Sequence, residues 1–235
     1  MNLVDWLVLA VIGVSLLFGL YRGFIASMLG LLCLFAAMFA AYALGPALAT
    51  LFLNDTSVVT TLAHYTDTAS RLGDLALSLR PVAGLDSAAI ADVVARVGFP
   101  APFDALLQGN LVQQAFASIG SVNVSDYVNQ TIITAIISIL CYLLVFIASY
   151  IALSLIAGLF RTMFRFPALK HLDALLGGIF GVARGVFIAY ILFALVPILM
   201  TVLPFNEFGD LIEASQLGSA LYKSNIVLTI LQGHI

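Results

Sequence analysis

The sequence predicts an all-α fold: a polytopic membrane protein with four transmembrane helices and a small helical extramembrane cap. Three observations carry this prediction. The 235 residues are 63% hydrophobic and only 9% charged, with a mean hydropathy of +1.14, a composition outside the range of water-soluble domains. Residues 172 to 205, LDALLGGIFGVARGVFIAYILFALVPILMTVLPF, carry one charge after Asp173, at Arg184, in an apolar run longer than the ~20 residues a helix needs to cross a bilayer. Between the apolar runs lies one polar, acidic stretch whose apolar residues recur at helical spacing.

The first crossing is Leu3 to Leu20, with Trp6 near one end and Tyr21 at the other, where amphipathic rings favour the membrane interfaces. A cleavable export signal would begin with Lys or Arg; here the early charge is Asp5, so the segment reads as a retained helix. The second crossing runs from Phe24 to about Leu44, where Gly45 and Pro46 break or kink the helix. The third covers about Ile132 to Leu159, with Ser125 and Asp126 as capping residues just upstream. The fourth is Gly185 to Phe205, bent at Pro197. Residues 172 to 183 lie flat at the interface, re-enter the membrane or extend the fourth helix, and the sequence leaves these alternatives open.

Arg22 lies between crossings one and two, and Arg161, Arg165, Lys170 and Arg184 lie between three and four. By the positive-inside rule both connections face the cytoplasm. The chain is then a transmembrane hairpin over 1–45, an extracytoplasmic amphipathic helical insert over 46–130, a second hairpin over 131–205 with a glycine-rich segment at 172–185, and an extracytoplasmic helical tail over 206–235. The insert holds seven Asp and three Arg, an acidic balance suited to the outside. Within it, Val58, Leu62, Tyr65, Ala69, Leu72, Ala76 and Leu79 form the apolar face of one helix, which Arg80-Pro81 stops. Asp86 or Ser87 caps a second helix to about Val97, and a third spans about Phe103 to Ile119. In the tail, Phe208, Leu211 and Ile212 share a face, and a further apolar stretch covers Ile226 to Leu231.

The candidate residues are glycines and a few charges. Gly177, Gly181 and Gly185 recur every four residues, widened by Gly178, and Gly19 and Gly23 have the same spacing, which lets another backbone approach closely. Packing within the chain is the first reading of these stripes and self-association the second. Gly19-x-x-Arg22-Gly23 and Gly181-x-x-Arg184-Gly185 also echo each other as a candidate parallel repeat, each opening a helix that runs outward. Asp5 reads as a helix-start acid favoured by the helix dipole, or as a bundle-facing acid that handles a cation or proton. Asp173 and Arg184 are separated by roughly 16 Å along one helix at about 1.5 Å per residue, so each needs another partner. For Asp173 the natural candidate is Arg22, an ion pair tying the two connections together.

Catalytic, metal and cofactor chemistry finds no support. The histidines His64, His171 and His234 have no ligand spacing, and Cys33 and Cys141 sit in apolar runs as small buried hydrophobes. Nucleophile motifs and a phosphate-binding Gly-Lys-Ser/Thr loop are absent, and a net charge of -3 gives no footprint for nucleic acid. The expected partners are the lipid bilayer, other copies of the chain, or other envelope proteins.

Asn2-Leu3-Val4-Asp5, the Gly19 and Arg22-Gly23 turn, Leu172-Asp173 and the run GGIFGVARG at 177 to 185 are similar to the colicin V production protein (CvpA-like) family of small bacterial inner-membrane proteins. The resemblance covers about 1–45 and 130–205, with much of 55–125 as an addition to shorter members. It implies a bacterial cytoplasmic-membrane protein with four crossings, linked to production or export of the toxin colicin V and to envelope maintenance. A non-enzymatic scaffold or accessory factor is the favoured reading. The alternative is an oligomeric channel or small transporter using the glycine stripe and Arg184.

Overall fold

The structure is a computed structural model that describes residues 2–65, 72–161, 170–202 and 206–232. In chain order its helices are α1 (Leu3–Arg22), α2 (Phe24–Leu53), α3 (Thr56–Tyr65), α4 (Leu75–Ser78), α5 (Ser87–Val97), α6 (Phe103–Gln113), α7 (Val124–Arg161), α8 (Lys170–Phe193), α9 (Val196–Val202), α10 (Asn206–Glu213), α11 (Gln216–Lys223) and α12 (Ile226–Gln232). Among the described residues there is no strand, only an antiparallel bridge between Pro81 and Asn123. Four stretches are long and apolar enough to cross a bilayer: Leu3–Arg22, Phe24–Leu53, Val124–Leu159 and Leu172–Thr201. The fold is therefore all-α, as the composition predicts.

Several boundaries differ from the sequence expectation. The helix α2 does not end at Leu44 but runs through Pro46 to Leu53. A proline removes one donor and crowds the carbonyl four residues earlier. That cost is local, and the helix continues on both sides of Pro46. The helix α7 begins at Val124, so Ser125 and Asp126 lie inside its first turn. From there Asp126 reaches back to accept the N–H groups of Val122 and Asn123 at 3.4 and 3.3 Å. Residues 172 to 185 are part of the continuous helix α8, so they neither lie flat nor re-enter. That helix is interrupted at Ala194 and Leu195, ahead of Pro197, whose ring cannot share the preceding turn. Phe205, the expected end of the fourth crossing, lies outside the described residues, as do Arg165 and His234.

The chain divides into two compact units. One comprises Met1–Pro46, Cys141–Leu195 and Phe205–Val227, the other Ala47–Leu140, Val196–Pro204 and Leu228–Ile235. In the first unit α1 is inside out by the standards of a water-soluble helix. Its buried residues are Asp5, Val8, Ser15 and Gly19, all on one stripe, while Leu7, Val14, Leu17 and Phe18 are exposed. A helix that turns its small and polar residues inward and its large apolar ones outward is solvated by lipid. The edge-on rings of Phe24 against Phe180 and Phe35 against Phe187 attach α2 to α8, with centroids 5.3 and 5.1 Å apart. The thiol of Cys33 on α2 approaches the Leu153 carbonyl on α7 at 3.7 Å.

The second unit has an ordinary apolar core. Asp86 caps α5 by accepting the Ala89 N–H at 2.8 Å, and Gly98, at φ 60°, ends it in the left-handed region that favours glycine. Ile90, Val93 and Val97 on α5, Phe103, Leu107 and Leu111 on α6, and Val124, Tyr127 and Val128 on α7 are all buried. Asn110 donates to the Thr131 hydroxyl at 3.0 Å, and Phe116 packs on Tyr127. The expected third insert helix stops at Gln113 and not Ile119: Gln114 turns to φ 50°, and Ala117–Ile119 forms a separate 3-10 turn. The expected amphipathic helix over 58–79 is also not one piece. Residues 66–71 lie outside the described residues; beyond them Gly73 takes φ 62° and Asp74 caps a new helix, α4, by accepting from Ala76 and Leu77.

Candidate functional site: a glycine seam and its arginine groove

The site is built on the antiparallel contact between α1 and α8. On α8 the residues Gly177, Gly181, Gly185, Ala189 and Phe193 recur every four positions, and all are buried. This stripe meets the Ile12, Ser15 and Gly19 stripe of α1. A methyl group added at Gly181 would lie 2.5 Å from the Ser15 carbonyl oxygen and 3.1 Å from the Gly19 Cα. One at Gly177 would lie 2.5 Å from the Gly19 carbonyl oxygen, and one at Gly185 would lie 2.9 Å from the Ile12 Cα. A methyl at Gly19 would collide with the Gly177 carbonyl. The two backbones touch, so no side chain larger than hydrogen fits between them. Gly178 differs, because what faces it are the flexible ends of Leu20 and Leu16, at 2.8 and 3.1 Å.

A hydroxyl crosses the seam. Ser15 donates from Oγ to the Gly181 carbonyl at 2.7 Å and accepts from the Arg184 Nε at 3.1 Å. Helix association in lipid lacks a hydrophobic drive, so backbone proximity and such cross-helix hydrogen bonds hold the pair together.

Each end of the seam carries an acid. At one end Asn2 and Asp5 form a capping box on α1, with the Asn2 N–H donating to Asp5 Oδ2 at 2.8 Å. The buried Asp5 carboxylate also accepts the Ser215 hydroxyl at 2.6 Å and the Leu217 N–H at 2.9 Å, so one side chain serves the starts of both α1 and α11. The Asn2 amide donates to the Leu211 carbonyl of α10, and the Asn225 amide to the Tyr190 carbonyl of α8 at 2.9 Å. At the other end Asp173 accepts the Phe24 N–H at 3.0 Å, capping α2 from a different helix. Gly23 makes that possible: its φ is 81°, and any Cβ there would run into the Asp173 carboxylate. The partner that the structure gives Asp173 is the start of α2, through the Phe24 N–H.

Both arginines face one groove. Arg22 lies over the Phe18 ring with its guanidinium carbon 4.4 Å from the centroid, and that of Arg184 is 6.0 Å from the same centroid. The groove is lined by Val14, Phe18, Arg22, Tyr150, Arg184 and Ile188, among others, and has a volume of 540 Å³. Nine of the ten candidate residues gather along the α1–α8 contact, with Gly19, Gly23, Asp173, Gly177, Gly178, Gly181 and Gly185 at the seam and Arg22 and Arg184 in the groove, while Asp5 stands apart, bonded to Asn2, Ser215 and Leu217. The two Gly-x-x-Arg-Gly elements are not a repeat of position: Gly23 terminates α1, whereas Gly185 lies in the middle of α8. Sequence reasoning missed Ser15, Phe18 and Ser215. Ser15 had a usable signal, since it stands four residues before Gly19 in an otherwise apolar span.

Lipid-facing apolar surfaces, a helix pair held by backbone contact, and acids placed at helix starts are the marks of an integral multi-helix membrane protein. Within that class, the family model described as Colicin V production protein matches residues 4–95 and 107–224, and the chain belongs to this family. The match extends the expected resemblance through most of the insert and into the tail. No curated protein matches, and no solved structure matches.

Proposed function

We propose that the chain is a non-enzymatic scaffold or accessory protein of the bacterial inner membrane that serves colicin V production or export and envelope maintenance. One observation supports a scaffold best. The two acids of the seam, Asp5 and Asp173, are engaged as helix caps, and the glycine stripe is filled by backbone, so neither is available to bind a moving ion or a substrate. Crosslinking the full-length protein in its native membrane and purifying it in nanodiscs should bring down a defined envelope partner. Purification with no reproducible partner would sink the proposal.

The same reading places the Arg22 turn and the connection before α8 in the cytoplasm, with both termini and the insert outside. A cysteine placed at Asn110 should react with an impermeant label from outside while one at Ala168 should not. Labelling of both from one side would reverse the assignment. A second reading, an oligomeric channel or small transporter, draws on the two arginines in one groove. It predicts ion flux into liposomes that falls in Arg184→Gln, and absence of flux under any gradient counts against it.

A further inference from the structure

Arg184 lies within the span. Gly181 packs against Ser15 and Gly19, and Gly185 against Ile12 and Ser15, so the Arg184 backbone stands level with the middle of α1. From Ser15 to Arg22 the helix rises about 10 Å at ~1.5 Å per residue, and that is the depth at which the Arg184 side chain leaves α8. Its Nε donates to the Ser15 hydroxyl at 3.1 Å, and its guanidinium carbon stands 6.0 Å from the Phe18 centroid. On α2 the terminal nitrogen Nη1 meets Gly30, where an added Cβ would lie 3.6 Å from it and no side chain offers an acceptor.

A guanidinium cannot shed its proton and carries five N–H donors. Among the described residues Ser15 is the hydrogen-bond acceptor for Arg184, which leaves the four donors of the terminal nitrogens for something other than the chain. Hydrocarbon cannot answer them, and an arginine within a span therefore faces an acid or a water-filled cavity. No acidic side chain is among the described residues that line the groove. The groove itself supplies the cavity. It is lined on α1 from Ala10 to Arg22, the residue that ends the helix, so it runs about 18 Å inward from that end. Its volume of 540 Å³ has room for on the order of ten waters. On α1 the lining stops short of Leu3, so the groove is an inlet and not a pore.

We infer that this groove is an aqueous inlet: water enters at the Arg22 end of α1 and reaches the Arg184 guanidinium inside the span, where Ser15 holds the side chain by its Nε. The inlet follows from unanswered donors with open space beside them, and it depends on neither the scaffold nor the channel reading. Its chemistry is hydrated and cationic. A cleft of one sign between low-dielectric walls concentrates counter-ions, so small soluble anions gather at Arg184 and small cations are kept out.

The test is thiol labelling of the full-length protein in nanodiscs, where both membrane faces are open to reagent. Methanethiosulfonates modify the thiolate, which forms in water and not in hydrocarbon. Val14→Cys places a thiol on the groove wall, about 12 Å from the Arg22 end of α1. Leu17→Cys places one on the same helix, nearer that end but outside the groove, and both positions are exposed. The native thiols of Cys33 and Cys141 are buried and set the background. A groove filled by lipid makes the deeper position the slower one. The inlet makes Val14→Cys the faster, by about tenfold with the anionic sulfonatoethyl reagent. That reagent should also outpace the cationic trimethylammonium reagent at Val14→Cys, and adding Arg184→Gln should remove most of this preference. Val14→Cys reacting no faster than Leu17→Cys would overturn the inference. So would an anion preference left intact by Arg184→Gln, because the charge at the end of the inlet would then not be that of Arg184. Should the Arg184→Gln chain not fold, the comparison of Val14→Cys with Leu17→Cys beside the native arginine decides the matter.

Discussion

The glycine seam of the first unit and the apolar core of the second unit stabilise helices by opposite means. In the seam, burial belongs to Gly177, Gly181, Gly185, Gly19 and Ser15, and the large apolar residues of α1 point outward. In the second unit, burial belongs to Phe103, Leu107, Leu111, Val93 and Tyr127, each at most 1% exposed. The difference reflects the solvent. Where the surroundings are hydrocarbon, burying a leucine gains little, and stability comes from letting backbones meet and bond. Where a segment has water to escape, removing apolar area from it dominates. Adding a methyl group should therefore harm one region and removing one should harm the other.

The largest effect is expected from Phe103→Ala, which empties a fully buried site in the second unit and should cost about 3–5 kcal/mol in denaturant unfolding of the purified protein. A cost below about 1 kcal/mol would break the comparison by showing that α6 contributes no core there.

Next comes Gly181→Ala. Alanine is the better helix former by about 1 kcal/mol. Here its methyl meets the Ser15 carbonyl oxygen, so the variant should lose about 1–3 kcal/mol and weaken the α1–α8 contact, read by disulfide trapping across the seam. Gly178→Ala sharpens the point: it meets only the leucine side-chain ends and should lose much less.

Asp173→Ala removes a helix cap and should cost about 1 kcal/mol, with Asp173→Asn retaining most of the stability because the amide oxygen still accepts the Phe24 N–H. A full loss in the asparagine variant, seen as an equal drop in thermal midpoint, would argue that the charge and not the acceptor matters.

The smallest effect has the opposite sign. Gly109 lies within α6 with nothing inside 4 Å of an added Cβ, so Gly109→Ala should stabilise by about 0.5–1 kcal/mol. The same substitution in the same fold would then move stability in two directions, depending on whether a backbone or empty space faces the glycine.

Much of this was legible in the chain. Apolar length marked the four long helices, and four-residue spacing marked the glycine stripe. The residue that stripe faces was not legible, because Gly19 and Gly177 are brought together only by the antiparallel approach of α1 and α8. The capping role of Asp173 was not legible for a related reason: a charge is visible in sequence, whereas capping of a helix 149 residues away is not. Pro46 is a further case, since Gly45-Pro46 can break or kink a helix and only the structure shows α2 continuing through it to Leu53.

What the sequence determined alone is which segments are long and apolar enough to span a bilayer, because hydrophobicity sums along the chain regardless of what the chain packs against. What only the tertiary structure decided is pairing: Asp5 with Ser215 and Leu217, Asp173 with Phe24, Ser15 with both Gly181 and Arg184, and the two arginines with one groove. Such pairs depend on distances of about 3 Å between groups far apart in the chain, the range over which hydrogen bonds form. No local pattern encodes those distances, and only the packed helices set them.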